Sequence, residues 1–150
     1  MDGYTHTQKS PLSWLLLIFA IAILLVSPFV NSDVKSLFLT YISASIFIVA
    51  GLCFHSLTIE DKGDHLLLRF GPLPLFKKSF HYAQFERIEP DRSIWIDGWG
   101  IHYIPGRGMI YNIWGFDCIK LIGKEKTVRI GSNDLRNLQI FLGTKIPQSH

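Results

Sequence analysis

Glu86, Glu89 and Asp91 stand close together around Pro90 in this sequence of 150 residues, and carboxylates in such a cluster can do acid–base chemistry when they are buried together. Acidic side chains are rarely buried without partners, so the simpler reading is a solvated strand end. The histidines His6, His55, His65, His81, His102 and His150 show no H-E-x-x-H spacing, and Cys53 and Cys118 form no C-x-x-C pair. No metal motif is present, and neither a metal nor a cofactor is expected. Gly123-Lys124 and Gly143-Thr144-Lys145 lack the upstream glycine of a phosphate loop, and no G-x-S-x-G elbow presents a serine. These absences lead to the expectation that the chain is not an enzyme.

The residues suited to binding are of two kinds. Trp95, Trp99, Tyr103, Tyr111 and Trp114 are close in sequence, with Gly98, Gly100 and His102 among them. Their rings could line a groove for a peptide or a lipid chain, or they could fill the core of a small sheet, which any such sheet requires. His102 has the intrinsic pKa to titrate near neutrality. Arg69, Lys77, Lys78 and Arg87 could face anionic headgroups, each worth about 1 kcal/mol near a membrane surface. Scattered surface charges are usually worth less, so orientation signals and solvated strand ends are the simpler account. The net charge of +3 is spread along the chain, without the clustered cations of a nucleic-acid surface.

Two apolar runs set where these residues can be. Pro11 to Val30 and Leu37 to Phe54 are each close to the ~20 residues that cross a bilayer as a helix, and neither carries a charged side chain. The first is apolar on every face, with Pro28 in its last turn and Trp14 and Phe29 near its ends. The second contains Ser43, Ala44, Ala50 and Gly51, small enough for close approach of another helix or another copy of the chain. Only Asn31 to Ser36 lie between the runs, so a hairpin with both ends on one side is expected. Lys9, Lys62, Arg69, Lys77 and Lys78 flank its outer ends while the turn has Lys35 alone, which predicts cytoplasmic termini in a multi-pass protein of the inner (plasma) membrane. A cleaved signal peptide fits less well, because the apolar run exceeds the roughly 7 to 15 residues of such signals.

The remaining chain is enough for one small domain, residues 55–150, and residues 1–10 read as a flexible tail. After Phe54 the pattern becomes short alternating segments separated by turns, the signature of an antiparallel β domain. Ser56–Glu60 and His65–Phe70 flank a tight turn at Asp61-Lys62-Gly63-Asp64. Two prolines break the pattern at Gly71-Pro72-Leu73-Pro74. Further strands are expected at Phe76–Tyr82, Phe85–Glu89, Ile94–Ile104, Met109–Ile113, Phe116–Ile122 and Thr127–Ile130, about seven in all, with a turn at Asp91-Arg92-Ser93. Leu135, Leu138 and Leu142 recur at helical spacing, which predicts a closing helix over about 134–143, capped by Ser132 or Asn133 and stopped by Gly143.

Together with the two apolar runs, the segments Gly98-Trp99-Gly100-Ile101-His102, Gly108-Met109-Ile110-Tyr111-Asn112 with Gly115, and Ile130-Gly131-Ser132-Asn133-Asp134-Leu135 resemble small bacterial membrane proteins with a pleckstrin-homology-like domain. The resemblance covers nearly the whole chain and implies a roll of about seven antiparallel strands capped by a C-terminal helix. An arginine usually stands in that family where this chain has His102. Eukaryotic domains of this fold often bind phosphoinositides through a basic loop between the first two strands. Here that turn carries Asp61 and Asp64, which would repel phosphate. The expected function is a non-enzymatic scaffolding or protein-docking module at the membrane with a membrane-associated protein partner. An accessory subunit of a transporter or envelope enzyme, or a weak binder of anionic lipid, is the alternative.

Overall fold

The computed structural model describes residues 3–30, 33–73 and 75–146. Asn31 and Ser32 of the expected turn, Pro74, and His150 lie outside the described residues.

Both apolar runs are helices, α1 from Pro11–Val30 and α2 from Val34–Cys53, with mean hydropathies of 2.6 and 2.0. The second starts three residues earlier than its apolar pattern, because Asp33 accepts a hydrogen bond from the Ser36 N–H at 2.9 Å and opens the helix there. The helices pack against each other through small residues. Ser13, Ala20, Ser27, Ala44 and Gly51 are buried, and a Cβ on Gly51 would lie 3.0 Å from the Leu17 side chain. Leu15, Ile18, Leu25 and Ile46 are each more than 60% exposed, so the outer surface of the pair is apolar.

Four strands form the first sheet in the order of the chain: β1 at Thr5–Lys9, β2 at Ser56–Asp61, β3 at His65–Phe70 and β4 at Lys77–His81, all antiparallel. The expectation of a flexible tail over residues 1–10 is therefore corrected. Thr5 to Lys9 pair residue by residue with Ser56 to Glu60, and the β domain includes this segment as well as the chain after Phe54. Its polar composition hid it, since it is an edge strand with only Gln8 buried.

The second sheet contains β5 at Arg87–Arg92, β6 at Gly100–Ile104, β7 at Gly108–Asn112, β8 at Asp117–Ile122 and β9 at Thr127–Gly131, in the order β5-β8-β9-β7-β6. The described residues thus contain nine strands rather than about seven, and β7 pairs with β9 in parallel rather than antiparallel fashion. Asp91 and Arg92 continue β5 instead of turning, and Pro90 is tolerated because β5 is an edge. Trp95–Asp97 is a 3-10 turn, not strand, and ends at Gly98 with φ +66°.

Alternate residues of the strands meet in one core. Leu57, Ile59, Leu66, Leu68, Phe70 and Phe80 from the first sheet face Tyr111, Ile113, Ile119, Leu121, Val128 and Ile130 from the second. The closing helix, α3 at Leu135–Lys145, adds Leu138 and Leu142. It covers the end of the core remote from α1 and α2, where Phe141 stacks on Tyr4 at 5.3 Å. Ser132 and Asn133 do not cap it as expected: Ser132 Oγ accepts from the Asp134 N–H, and Asn133 Oδ1 meets His6 Nε2 at 2.6 Å. Gly143 stays within the helix, because its position is open to solvent and imposes no stop.

Candidate functional site

The helical pair is inserted between two neighbouring strands, and the strand ladder runs up to its base. Lys9 pairs with Ser56, and the Ser10 N–H donates to the His55 carbonyl at 2.9 Å. The buried Ser13 hydroxyl donates to the Ser10 carbonyl at 2.7 Å and lies 3.0 Å from His55 Nδ1, which supplies the proton for that contact. Trp14 sets its ring edge-on to His55 with centroids 5.4 Å apart. Among the described residues no carboxylate pairs with His55 to orient it as a base. The Ser13–His55 pair is a latch between the helix start and the strand start.

On the other flank, the β3–β4 connection is pressed against the end of α2. Gly71, at φ +65°, passes so close that a Cβ would lie 2.3 Å from the Leu52 carbonyl oxygen, and its N–H donates to Ser56 O at 2.7 Å. Phe54 stacks on Phe76 at 5.7 Å and meets Phe70 edge-on at 5.9 Å. Beyond these rings Leu73, Leu75 and Phe76 are exposed, and Leu75 and Phe76 close one end of a groove of about 600 Å³ along the Phe38, Tyr41, Ile46 and Val49 face of α2. Exposed Lys77 and Lys78 follow directly, and Arg69 is the cross-strand partner of Lys77. Among the described residues these three cations have no carboxylate within ion-pair distance. Arg87 does not join them; it lies on β5 in the other sheet, with its Nε 3.1 Å from Glu89.

The six residues expected to form one interaction surface divide among different roles. Tyr111 is buried in the core, edge-on to Phe80 at 5.3 Å. Trp99 stacks on Trp114 at 4.7 Å, donates from Nε1 to the Gly115 carbonyl at 3.3 Å, and borders a hollow lined by Ser10, Leu12, Leu16 and Ile113 at the base of α1. Tyr103 is exposed on the edge strand β6, and Trp95 is 79% exposed. His102 tucks its ring beneath Gly98 and Gly100, whose Cβ positions would lie 3.4 and 3.6 Å from it, and its Nε2 is buried without a partner among the described residues.

An ionic cluster on the outer face of the second sheet escaped the sequence reading. Arg107 Nη1 bonds both oxygens of the buried Asp97 at 2.8 and 2.7 Å, and its Nη2 donates to the Arg92 carbonyl. The buried Arg129 reaches Asp91 at 2.6 Å and Asp97 at 3.5 Å. Two guanidinium groups balance two carboxylates and fasten the segment 93–99 across β8 and β9. Beside them, burial pushes the Cys118 thiol up to about 11, so it stays protonated and unreactive at neutral pH. Arg107 and Asp97 are separated by a strand, and only their tertiary pairing gives either a meaning.

Against known proteins, no family model matches the chain and no curated protein is significantly similar to it. The site is therefore defined by its geometry. The base of the helical pair is ringed by Trp14, Trp99 and Trp114 on one flank and by Leu73, Leu75, Phe76, Lys77 and Lys78 on the other. Rings and cations at one level, above apolar helix faces, suit the water–lipid interface.

Proposed function

We propose that this chain is a multi-pass protein of the inner membrane, with both termini cytoplasmic, whose pleckstrin-homology-like β domain is a non-enzymatic docking module for a membrane-associated protein. The observation that carries the reading is the junction without a linker: strand pairing continues through Ser10 and His55 to the first residue of α1. A domain tied in this way cannot swing, so its open edges β4 and β6 are held at a fixed height above the bilayer. Between them lies a hollow of about 200 Å³ lined by Phe70, Ile101 and Tyr111. An extended segment of a partner can add to such an edge, with its side chains in the hollow. Confinement raises the local concentration of the module towards membrane partners. The place of β1 supports two crossings over a signal peptide, since cleavage after α1 would remove a strand from the sheet.

The test uses a photo-crosslinking residue at Tyr103 on β6, or at Gln139 on α3, in the full-length chain in its native membrane. The reading expects a discrete protein adduct from Tyr103 that is lost when flexible Gly-Ser segments are inserted at both Ser10 and His55. Equal adducts from both positions, or adducts indifferent to the insertions, would overturn it.

A second reading, contact with anionic lipid, is favoured by one observation: Arg69, Lys77 and Lys78, without an ion-pair partner among the described residues, adjoin exposed Leu73, Leu75 and Phe76. Contact through the helices themselves has less to draw on, because Ala44 and Gly51 are already used within the hairpin.

A further inference from the structure

At the end of the first sheet remote from the helices, two histidines face each other. His65 opens β3 and His81 closes β4, and the strand register makes them direct cross-strand partners. Directly paired residues project from the same face of a sheet, and here the ring centroids are 5.4 Å apart. Asp64, the residue before His65, sends one carboxylate oxygen to His65 Nδ1 at 2.6 Å and the other to His81 Nδ1 at 3.4 Å. Two imidazole nitrogens and a carboxylate oxygen thus converge, all within 4.8 Å of one another.

We propose that Asp64, His65 and His81 form a binding site for a divalent transition-metal ion of borderline softness, zinc foremost. Imidazole and carboxylate suit Zn²⁺, which binds nitrogen at about 2.0–2.1 Å and carboxylate oxygen at about 2.0–2.2 Å. Tetrahedral ligands at those lengths stand about 3.3 Å apart, so small side-chain rotations bring the three donors into range. Neighbouring charges do not occupy the place. Lys62 is turned to Glu60, and Lys145 is held by Asp61 and the Gly63 carbonyl. Asp61 itself is engaged by Tyr82 and the Gly63 N–H, so the described residues supply three ligands and leave the fourth position to water or to a group on a partner. A bound ion would join the β2–β3 turn to the end of the edge strand β4. The site shares β4 with the proposed docking edge but lies at the end of that strand away from the hollow of Phe70, Ile101 and Tyr111.

The test is titration of the untagged full-length protein in detergent, stripped with chelator, using zinc chloride against a chromogenic competitor. One equivalent of zinc should bind. H65Q and H81Q should each weaken binding by at least about tenfold, since even second-shell changes cost about 10–100-fold. H6Q should not. D64N should lie between them, and all variants should keep the wild-type unfolding midpoint in chelator. In the unsubstituted protein zinc should shield His65 and His81, but not His6, from diethyl pyrocarbonate, as mapped by mass spectrometry. Failure of the wild type to bind zinc saturably, survival of binding in H81Q, or equal labelling of His65 and His81 with and without zinc would overturn the assignment.

Discussion

Asp97 is the side chain on which the segment 93–99 depends. It is buried, and it accepts from Arg107 while facing Arg129. Removing it takes both carboxylate bonds from the partly buried Arg107 and leaves Asp91 alone to balance two guanidinium groups, so Asp97→Ala should destabilise the domain by about 3 kcal/mol in denaturant unfolding. Trp95→Ala, four-fifths exposed on the same turn, should change stability by less than about 0.5 kcal/mol. Asp61 offers a different probe. Burial raises its pKa, but the hydrogen bonds from Tyr82 and the Gly63 N–H and the contact with Lys145 outweigh this and hold it below the ordinary value. The folded state then favours the carboxylate. Its contribution is complete above the unfolded value of about 3.9 and is lost as pH falls through the lower folded value. The acid limb of a stability–pH profile should be shallower in Asp61→Asn than in the wild type.

Gly71 decides how β3 meets α2. An added Cβ would strike the carbonyls of Leu52 and Cys53, which are backbone and cannot turn aside, and φ is positive as well. Gly71→Ala should lower the thermal midpoint in detergent by more than Gly143→Ala, which meets nothing and should stabilise α3 by up to about 1 kcal/mol. The elements themselves were unequally legible. The helices, β2 with β3, and α3 could be read because long apolar runs, alternation about a tight turn and leucines at helical spacing are local signals. β1 could not, since Thr5 to Lys9 is polar and its pairing partner is 51 residues away at Thr58 for Thr7. The Ile94-Trp95-Ile96 run misled for the opposite reason: apolar residues there lie on a turn held by ions, with Trp95 in solvent. Of the site, the aromatic set was visible as composition, but its division between core and helix base follows from strand register. The same is true of His65 and His81. They stand eight residues either side of Leu73, and fixing the hairpin centre on that proline-flanked residue would have paired them.

The whole molecule is one β domain with two helices looped out of its first strand pair. Excision should therefore be simple in one way and fail in another. A fragment beginning at His55 lacks β1, exposes the flank of β2, and should aggregate. Replacing residues 11–54 by Asn-Gly, a two-residue turn suited to the twist of adjacent strands, should give a soluble, monomeric domain with mainly-β circular dichroism, the helical signal of α1 and α2 being lost. Retention of fold in the fragment that begins at His55 would mean that β1 is dispensable to the domain, and loss of fold in the Asn-Gly variant would mean that the helices as well as the strand ladder hold it together.

Strand β1 precedes both helices in the chain, while its partner β2 follows them. On the membrane reading, β1 leaves the ribosome first and must wait, unpaired, until 46 intervening residues from Ser10 to His55 have been placed. It finds β2 only if the chain has crossed the bilayer an even number of times. Closure of the first sheet is thus a parity check on insertion. A copy with one span misplaced would present two orphan strands on opposite sides of the membrane, marked for quality control by the part of itself that could not fold.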